Sequence, residues 1–333
     1  IDKIFKEHNE KLIDLAQTNI DDQIDQQLNA FATVFNVNVD ELKKAFQKKY
    51  INLSVNKSEH LSEEEFRLQE YEAIINQEFD KEKNLIIKKI DNSLFSEKFK
   101  NIFDNIYKVE KLREIRAFYG FTRIEPHDPE SLTLSQDNRI QSVVETDKNG
   151  ERWSPGIGVR GEGIFFEFNQ DSISKWEKDI IDNELVSSMD KSIDRYNSFR
   201  KNMGLDNRNI SYKFYLLHTF SHLIIKQFSY ECGYSATELR ERIYCNSNPN
   251  HPMNGVLIYT ASGDSEGSYG GLIRQCEPFL LENNVQKAIN SSLWCSYDPL
   301  CIENDQQGTD GTNIAACYSC SLLPETSCEE GNR

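Results

Sequence analysis

Apolar positions recur at three- and four-residue steps through the first part of the chain. Ile13, Ala16, Ile20, Ile24 and Leu28 make one run, and Phe31, Val34 and Phe35 continue it. That spacing lays apolar side chains along one stripe of a helix. Residues 1–114 hold neither Gly nor Pro and are rich in Lys, Glu, Asp, Gln and Asn. The pattern predicts a helical arm or bundle of scaffold type. Over 115–171 the character becomes β-rich. Residues 117–124 are aromatic and β-branched until Pro126 and Pro129 break the run, because proline removes a ladder donor. Asp147-Lys148-Asn149-Gly150 sits between 141–146 and 151–153 as a hairpin turn, and over 159–168 Ile164, Phe166 and Phe168 alternate with Phe165 and Glu167.

Helical spacing returns from about residue 172. Its strongest example spans 212–230, where Leu216, Phe220, Leu223 or Ile224, and Phe228 share a core face. His218, His222 and Lys226 form a polar stripe at steps of four. Ser235-Ala236-Thr237-Glu238 has the form of a capping box and predicts a helix to about Tyr244, carrying Arg240 and Arg242. Residues 255–260 then read as a buried strand, followed by a glycine-rich loop over 261–272 and a helix ending near Trp294. The whole is a mixed α/β, or α+β, chain. It has a helical region at 1–114, a β-rich segment at 115–171 and a small α/β domain at 172–333.

Cysteine usage adds a metal to that outline. All eight cysteines lie between Cys232 and Cys328, and five (Cys295, Cys301, Cys317, Cys320 and Cys328) crowd into the segment 295–328. The two-residue gap of Cys317-Tyr-Ser-Cys320 lets both sulfurs face one ion. A second pair completes a tetrahedron, for which zinc is the usual occupant; disulfides would need an oxidising compartment. Cys301 is the firmest third ligand, and spacing leaves the fourth open between Cys295 and Cys328. Four thiolates leave no position for water, so the zinc is expected to be structural. Cys232, Cys245 and Cys276 fall in patterned segments and read as small core residues.

Charge decides where nucleic acid is expected. The formal charge is −16 over 333 residues, and from Cys295 onward seven carboxylates face one basic residue, Arg333. Phosphate contact needs clustered Lys and Arg. The expectation therefore moves to Arg195, Arg200, Lys201, Lys226, Arg240 and Arg242, with Arg208 and Lys213 nearby, set against the plainer reading of a solvated basic face. His218 and His222 lack the adjacent glutamate of a zincin helix. The glycine-rich loop has no Gly-Lys-Ser/Thr ending, while its Asp264 and Glu266 raise the alternative of a metal-dependent nuclease. No run of about 20 apolar residues offers a membrane span. The charged opening without Met reads as a chain lacking upstream residues, and with the thiols it points to the cytoplasm.

Several motifs together resemble a known bacterial domain: His218-Thr219-Phe220-Ser221-His222, Glu231-Cys232-Gly233-Tyr234-Ser235, Ile258-Tyr259-Thr260 with Gly270-Gly271, and Ala316-Cys317-Tyr318-Ser319-Cys320 through Cys328. It is the zinc-binding domain that ends mitomycin-repair-type helicases. Gly120-Phe121-Thr122-Arg123-Ile124-Glu125-Pro126 and Val159-Arg160-Gly161-Glu162-Gly163-Ile164-Phe165 bring the resemblance nearer to the DrmB subunits of DISARM anti-phage systems. The likeness covers roughly 110–333, with a longer insert between Cys301 and Cys317 than in the helicases. It implies a non-motor accessory subunit that works on DNA beside a separate DrmA-like helicase/ATPase subunit. A protein-interaction scaffold is the remaining rival.

Overall fold

The computed structural model describes residues 21–35, 37–46, 63–77, 84–118, 120–121, 141–147, 152–202, 210–246, 248, 252–260, 270–308 and 311–332. The chain divides into two compact units, one of residues 1–66 with 146–152 and one of 67–145 with 153–333. In the first, helices α1 (Asp21–Phe35) and α2 (Val39–Phe46) close over Leu28, Ala32, Leu42 and Phe46. Phe31 and Phe35 stack with ring centroids 6.4 Å apart, as their four-residue spacing requires. Ile13, Ala16 and Ile20 lie outside the described residues.

The second unit is built on one five-stranded sheet. Its order is β1 (Ile86–Lys89), β2 (Phe103–Ala117), β7 (Gly156–Phe168), β9 (Met253–Thr260) and β8 (Leu239–Asn246), every neighbouring pair antiparallel. Side chains alternate across it. On one face Ile106, Ile164, Phe166, Ile243, Val256 and Ile258 meet helix α7 (Tyr212–Cys232) through Phe220, Leu223 and Ile224. On the other, Phe165, Tyr107, Tyr244 and Leu257 meet Tyr71 and Ile74 of α3 (Glu63–Ile75). Burial on both faces is why these strands carry long apolar runs.

Around the sheet stand α4 (Glu97–Lys100), α5 (Gln170–Ile180), α6 (Glu184–Asn202), α8 (Gly271–Arg274) and α9 (Pro278–Ser291). Short strands β3 (Gly120–Phe121) and β4 (Gln141–Ser142) pair with each other, as do β5 (Glu145–Thr146) and β6 (Arg152–Trp153). The last pair flanks the expected hairpin turn, whose Lys148, Asn149 and Gly150 lie outside the described residues. Helix α7 ends at Gly233, whose φ of 73° lets its N–H reach the Ser229 carbonyl.

Three sequence expectations need correction. Helix does not run through residue 114: β1 and β2 lie inside that region, their period of two blurred by register shifts at Ile86/Ile87 and across Val109/Leu112. The strand expected at 117–124 begins earlier, at Phe103, and is interrupted before β3. The capping-box helix is a strand. Glu238 does reach back to the Ser235 N–H, at 2.7 Å. Leu239, Glu241 and Ile243 then alternate inward, and a period of two overrides the local turn signal. Arg240 and Arg242 therefore lie on β8.

Candidate metal centre

The segment after α9 turns back on itself so that Cys295, Cys301, Cys317 and Cys320 meet, with all four sulfurs within 4.8 Å of one another. The sulfurs stand 3.5 Å apart for Cys295 and Cys317, 3.8 Å for Cys301 and Cys320, and 3.7 Å for Cys317 and Cys320. None is a disulfide; all eight cysteines are free. A tetrahedral ion bonded to sulfur at about 2.3 Å sets its ligands roughly 3.8 Å apart, so the spacing fits zinc.

Local hydrogen bonds fix each arm of the cluster. Asp298 accepts from the Cys295 and Ile302 N–H groups, at 2.9 and 3.2 Å, which closes the Cys295–Cys301 turn. The Cys317 N–H points at Cys320 Sγ, 3.2 Å away, and Gln307 holds the Cys301 carbonyl at 3.1 Å. Such N–H groups favour thiolate over thiol. Burial works against ionisation of Cys317, yet backbone N–H groups of Cys320 and Ser319 and its neighbour Cys295 bring it down to about 7. Burial pushes Cys301 up to about 12.

Lys226 completes this arrangement from α7. Its ammonium donates to the Tyr318 and Ser319 carbonyls at 3.0 and 3.2 Å, inside the Cys317–Cys320 turn. Burial lowers its pKa, against the pull of Cys320, Cys317 and Cys295. A tetrathiolate zinc centre carries net negative charge, and Lys226 is the cation set beside it.

Cys328 is not in this cluster. It lies 3.1 Å from His218 Nε2, in a separate group with His222 and Glu241. Burial opposes ionisation of Glu241, but the charge of the adjacent His218, with His222 close by, outweighs it and holds the carboxyl below its usual range. The carboxylate in this group went unnoticed in the sequence. Its signal was the inward register of Leu239, Glu241 and Ile243.

The six candidate phosphate ligands scatter. Arg195 donates to the Asp305 carbonyl at 3.0 Å, Arg240 pairs with Glu114 at 3.6 Å, and Arg242 pairs with Glu70 and Glu329. Arg200 lies over the Tyr196 ring, 5.9 Å from its centroid, and Lys201 is exposed in the last turn of α6. Asp264, Glu266 and Arg208 lie outside the described residues. Of the remaining thiols, Cys276 is buried in the core, and Cys232 and Cys245 are half-buried.

Comparison with known proteins agrees with this centre. The family model of the MrfA Zn-binding domain (MZB) matches residues 220–321, a span that holds all four clustered cysteines. The chain is also 39% identical over 239 residues to the DISARM protein DrmB of Bacillus paralicheniformis. The chain is DrmB-like. That alignment takes in 71% of this chain and 40% of the relative, so the chain spans well under half of the protein it matches. Cys328 and His218 fall just outside the MZB span. No helix among the described residues is long and apolar enough to cross a membrane.

Proposed function

We propose that the chain is a non-motor accessory subunit of a superfamily 2 helicase complex in anti-phage defence, with a structural zinc in its four-cysteine knuckle. The observation that carries this reading is the DrmB likeness over most of the chain, joined to a knuckle with four cysteine donors and, among the described residues, no fifth group. These 333 residues contain no Walker loop and no DEAD-type box, and we assign them no ATP-hydrolysing role. Lys226 and the Cys317–Cys320 turn fasten the acidic tail to α7, which is the work of a staple and not of a catalytic ion.

The rim of the knuckle supplies a docking face. Leu293, Trp294, Leu300 and Ile302 are each at least two-thirds exposed, at 79%, 71%, 75% and 68%, as is Tyr318 within the Cys317–Cys320 turn. Apolar side chains gathered this way mark protein contacts, with tryptophan the usual anchor. We assign the helicase subunit to this face. DNA contact is assigned to the end of α6, where Lys201 is exposed in the last turn next to Arg200, whose guanidinium lies over the Tyr196 ring.

Co-expression with the superfamily 2 helicases of the same cell, followed by pull-down and DNA binding at graded salt, tests this. A helicase should co-purify, and Trp294→Ser/Leu300→Ser should weaken the complex at least about tenfold, as loss of a central anchor does. Arg200→Ala/Lys201→Ala should lower DNA affinity and flatten its salt dependence. Failure of any helicase to co-purify overturns the complex; unchanged DNA affinity overturns the α6 contact.

A further inference from the structure

Helix α7 sends two imidazoles, one turn apart, toward the buried carboxylate of Glu241 on β8 and the thiol of Cys328 in the tail. One ligand-type atom from each of the four lies within 4.8 Å of the other three. His218 Nε2 is 3.1 Å from Cys328 Sγ and 3.2 Å from Glu241 Oε1, and His222 Nε2 is 3.5 Å from the same oxygen. A tetrahedral ion with bonds of about 2.0–2.3 Å has ligand edges of roughly 3.3–3.8 Å, close to these separations.

Three of the four members are held from behind. His222 Nδ1 donates to the Ser321 carbonyl at 2.9 Å, which leaves the Nε2 lone pair facing the cluster. The Ser221 hydroxyl binds the second oxygen of Glu241, and the Glu329 N–H donates to Oε1 at 3.0 Å. The Asn332 N–H donates to Cys328 Sγ at 3.1 Å, repeating the N–H to sulfur contact of the four-cysteine knuckle. Yet His222 Nε2, on a residue 4% exposed, has no hydrogen-bond partner. A buried polar atom left so is costly, and an ion at the centre would satisfy it.

The same four residues make a poor Cys-His nucleophile. In that arrangement the imidazole bridges thiol and carboxylate through its two different nitrogens. Here one nitrogen, His218 Nε2, meets both.

We propose that His218, His222, Glu241 and Cys328 form a second, closed transition-metal site, suited to zinc and separate from the four-cysteine knuckle. Two imidazoles, a carboxylate and a thiolate are a borderline-soft set that prefers zinc to magnesium or calcium. The site ties the tail to α7 and β8 through Cys328, which follows the end of the MZB match, while His222 and Glu241 lie within that match. It stands independently of any helicase or DNA role.

Metal-stripped full chain titrated with Zn²⁺, and in parallel with Co²⁺, tests the site. Two equivalents should bind per chain. Cys317→Ser/Cys320→Ser should keep one equivalent, whose cobalt form shows the weak sulfur-to-metal absorption of a single thiolate. Cys328→Ala and the milder Glu241→Gln should each lose one equivalent and leave the tetrathiolate spectrum intact. A wild-type chain that binds one equivalent in total overturns the site without recourse to any variant. So does a second equivalent that survives both Cys328→Ala and His222→Gln.

Discussion

Glu162, in the middle of β7, accepts the Leu272 N–H at the start of α8 across 2.9 Å. The same carboxylate takes the Gly270 and Ile273 N–H groups at 2.6 and 3.3 Å and is 1% exposed. These N–H groups lack partners within their own helix. The end of the glycine-rich loop, where an anion would be sought, thus already holds an anion of the chain itself. A Cβ at Gly271 would fall 2.6 Å from the Tyr234 hydroxyl, which would have to shift to admit it.

Glu162→Gln keeps the shape and removes the charge. Charge-assisted hydrogen bonds in a buried setting contribute about 1.5–3 kcal/mol, and a loss of that order is expected in urea unfolding, with the slope unchanged. A loss below about 0.5 kcal/mol, the range of ordinary surface changes, would mean the cap is ornamental.

Gly161 tests the packing beside it. A Cβ there would stand 1.8 Å from the Thr260 carbonyl oxygen of β9, backbone that cannot swing aside. Gly161→Ala should cost at least about 1–3 kcal/mol, the usual range for overpacking. Gly158→Ala, which meets only the flexible Arg113 side chain at 3.4 Å, should cost far less. Thermal unfolding of the two variants side by side checks the contrast.

Arg67, 6% exposed, and Arg242 share the Glu329 carboxylate, which binds the tail to α3 and β8. Removing one partner of a buried pair strands the other charge. Glu329→Ala should therefore destabilise by about 3 kcal/mol. Arg240→Ala breaks only a part-exposed pair with Glu114 and should cost under about 1 kcal/mol. Equal effects of the two would contradict the distinction.

The sequence was most legible where one period held without interruption. Ile164, Phe166 and Phe168 opposite Phe165 announced β7, and Phe220, Ile224 and Phe228 announced α7. The Cys317–Cys320 spacing disclosed the knuckle for the same reason: two residues of loop leave little freedom. Strand β2 was hidden because its bulge shifts the register and its exposed positions carry Lys and Glu typical of helices. The partition of Cys295 and Cys328 was not legible, since it depends on which way the polar loop folds back, and that is set by Asp298, Gln307 and Asn332. Arg240 and Arg242 looked like free cations because their partners, Glu114, Glu70 and Glu329, are far away in sequence.

Acid should release the metal. Bound cysteines are thiolates and bound imidazoles neutral, so protons compete with zinc and affinity falls as pH falls. The zinc-dependent part of stability is thus present at neutral pH and lost on acidification. Zinc retained through dialysis at stepped pH follows this; retention that is flat between pH 7 and pH 4 would argue against thiolate coordination.

The most direct test of the knuckle as a staple is the thermal unfolding midpoint of Cys317→Ser/Cys320→Ser beside the wild-type chain, each with its zinc content measured. Loss of one zinc with a clearly lower midpoint is the expected result, since a structural ion contributes to folding itself. Unchanged zinc and an unchanged midpoint would contradict it.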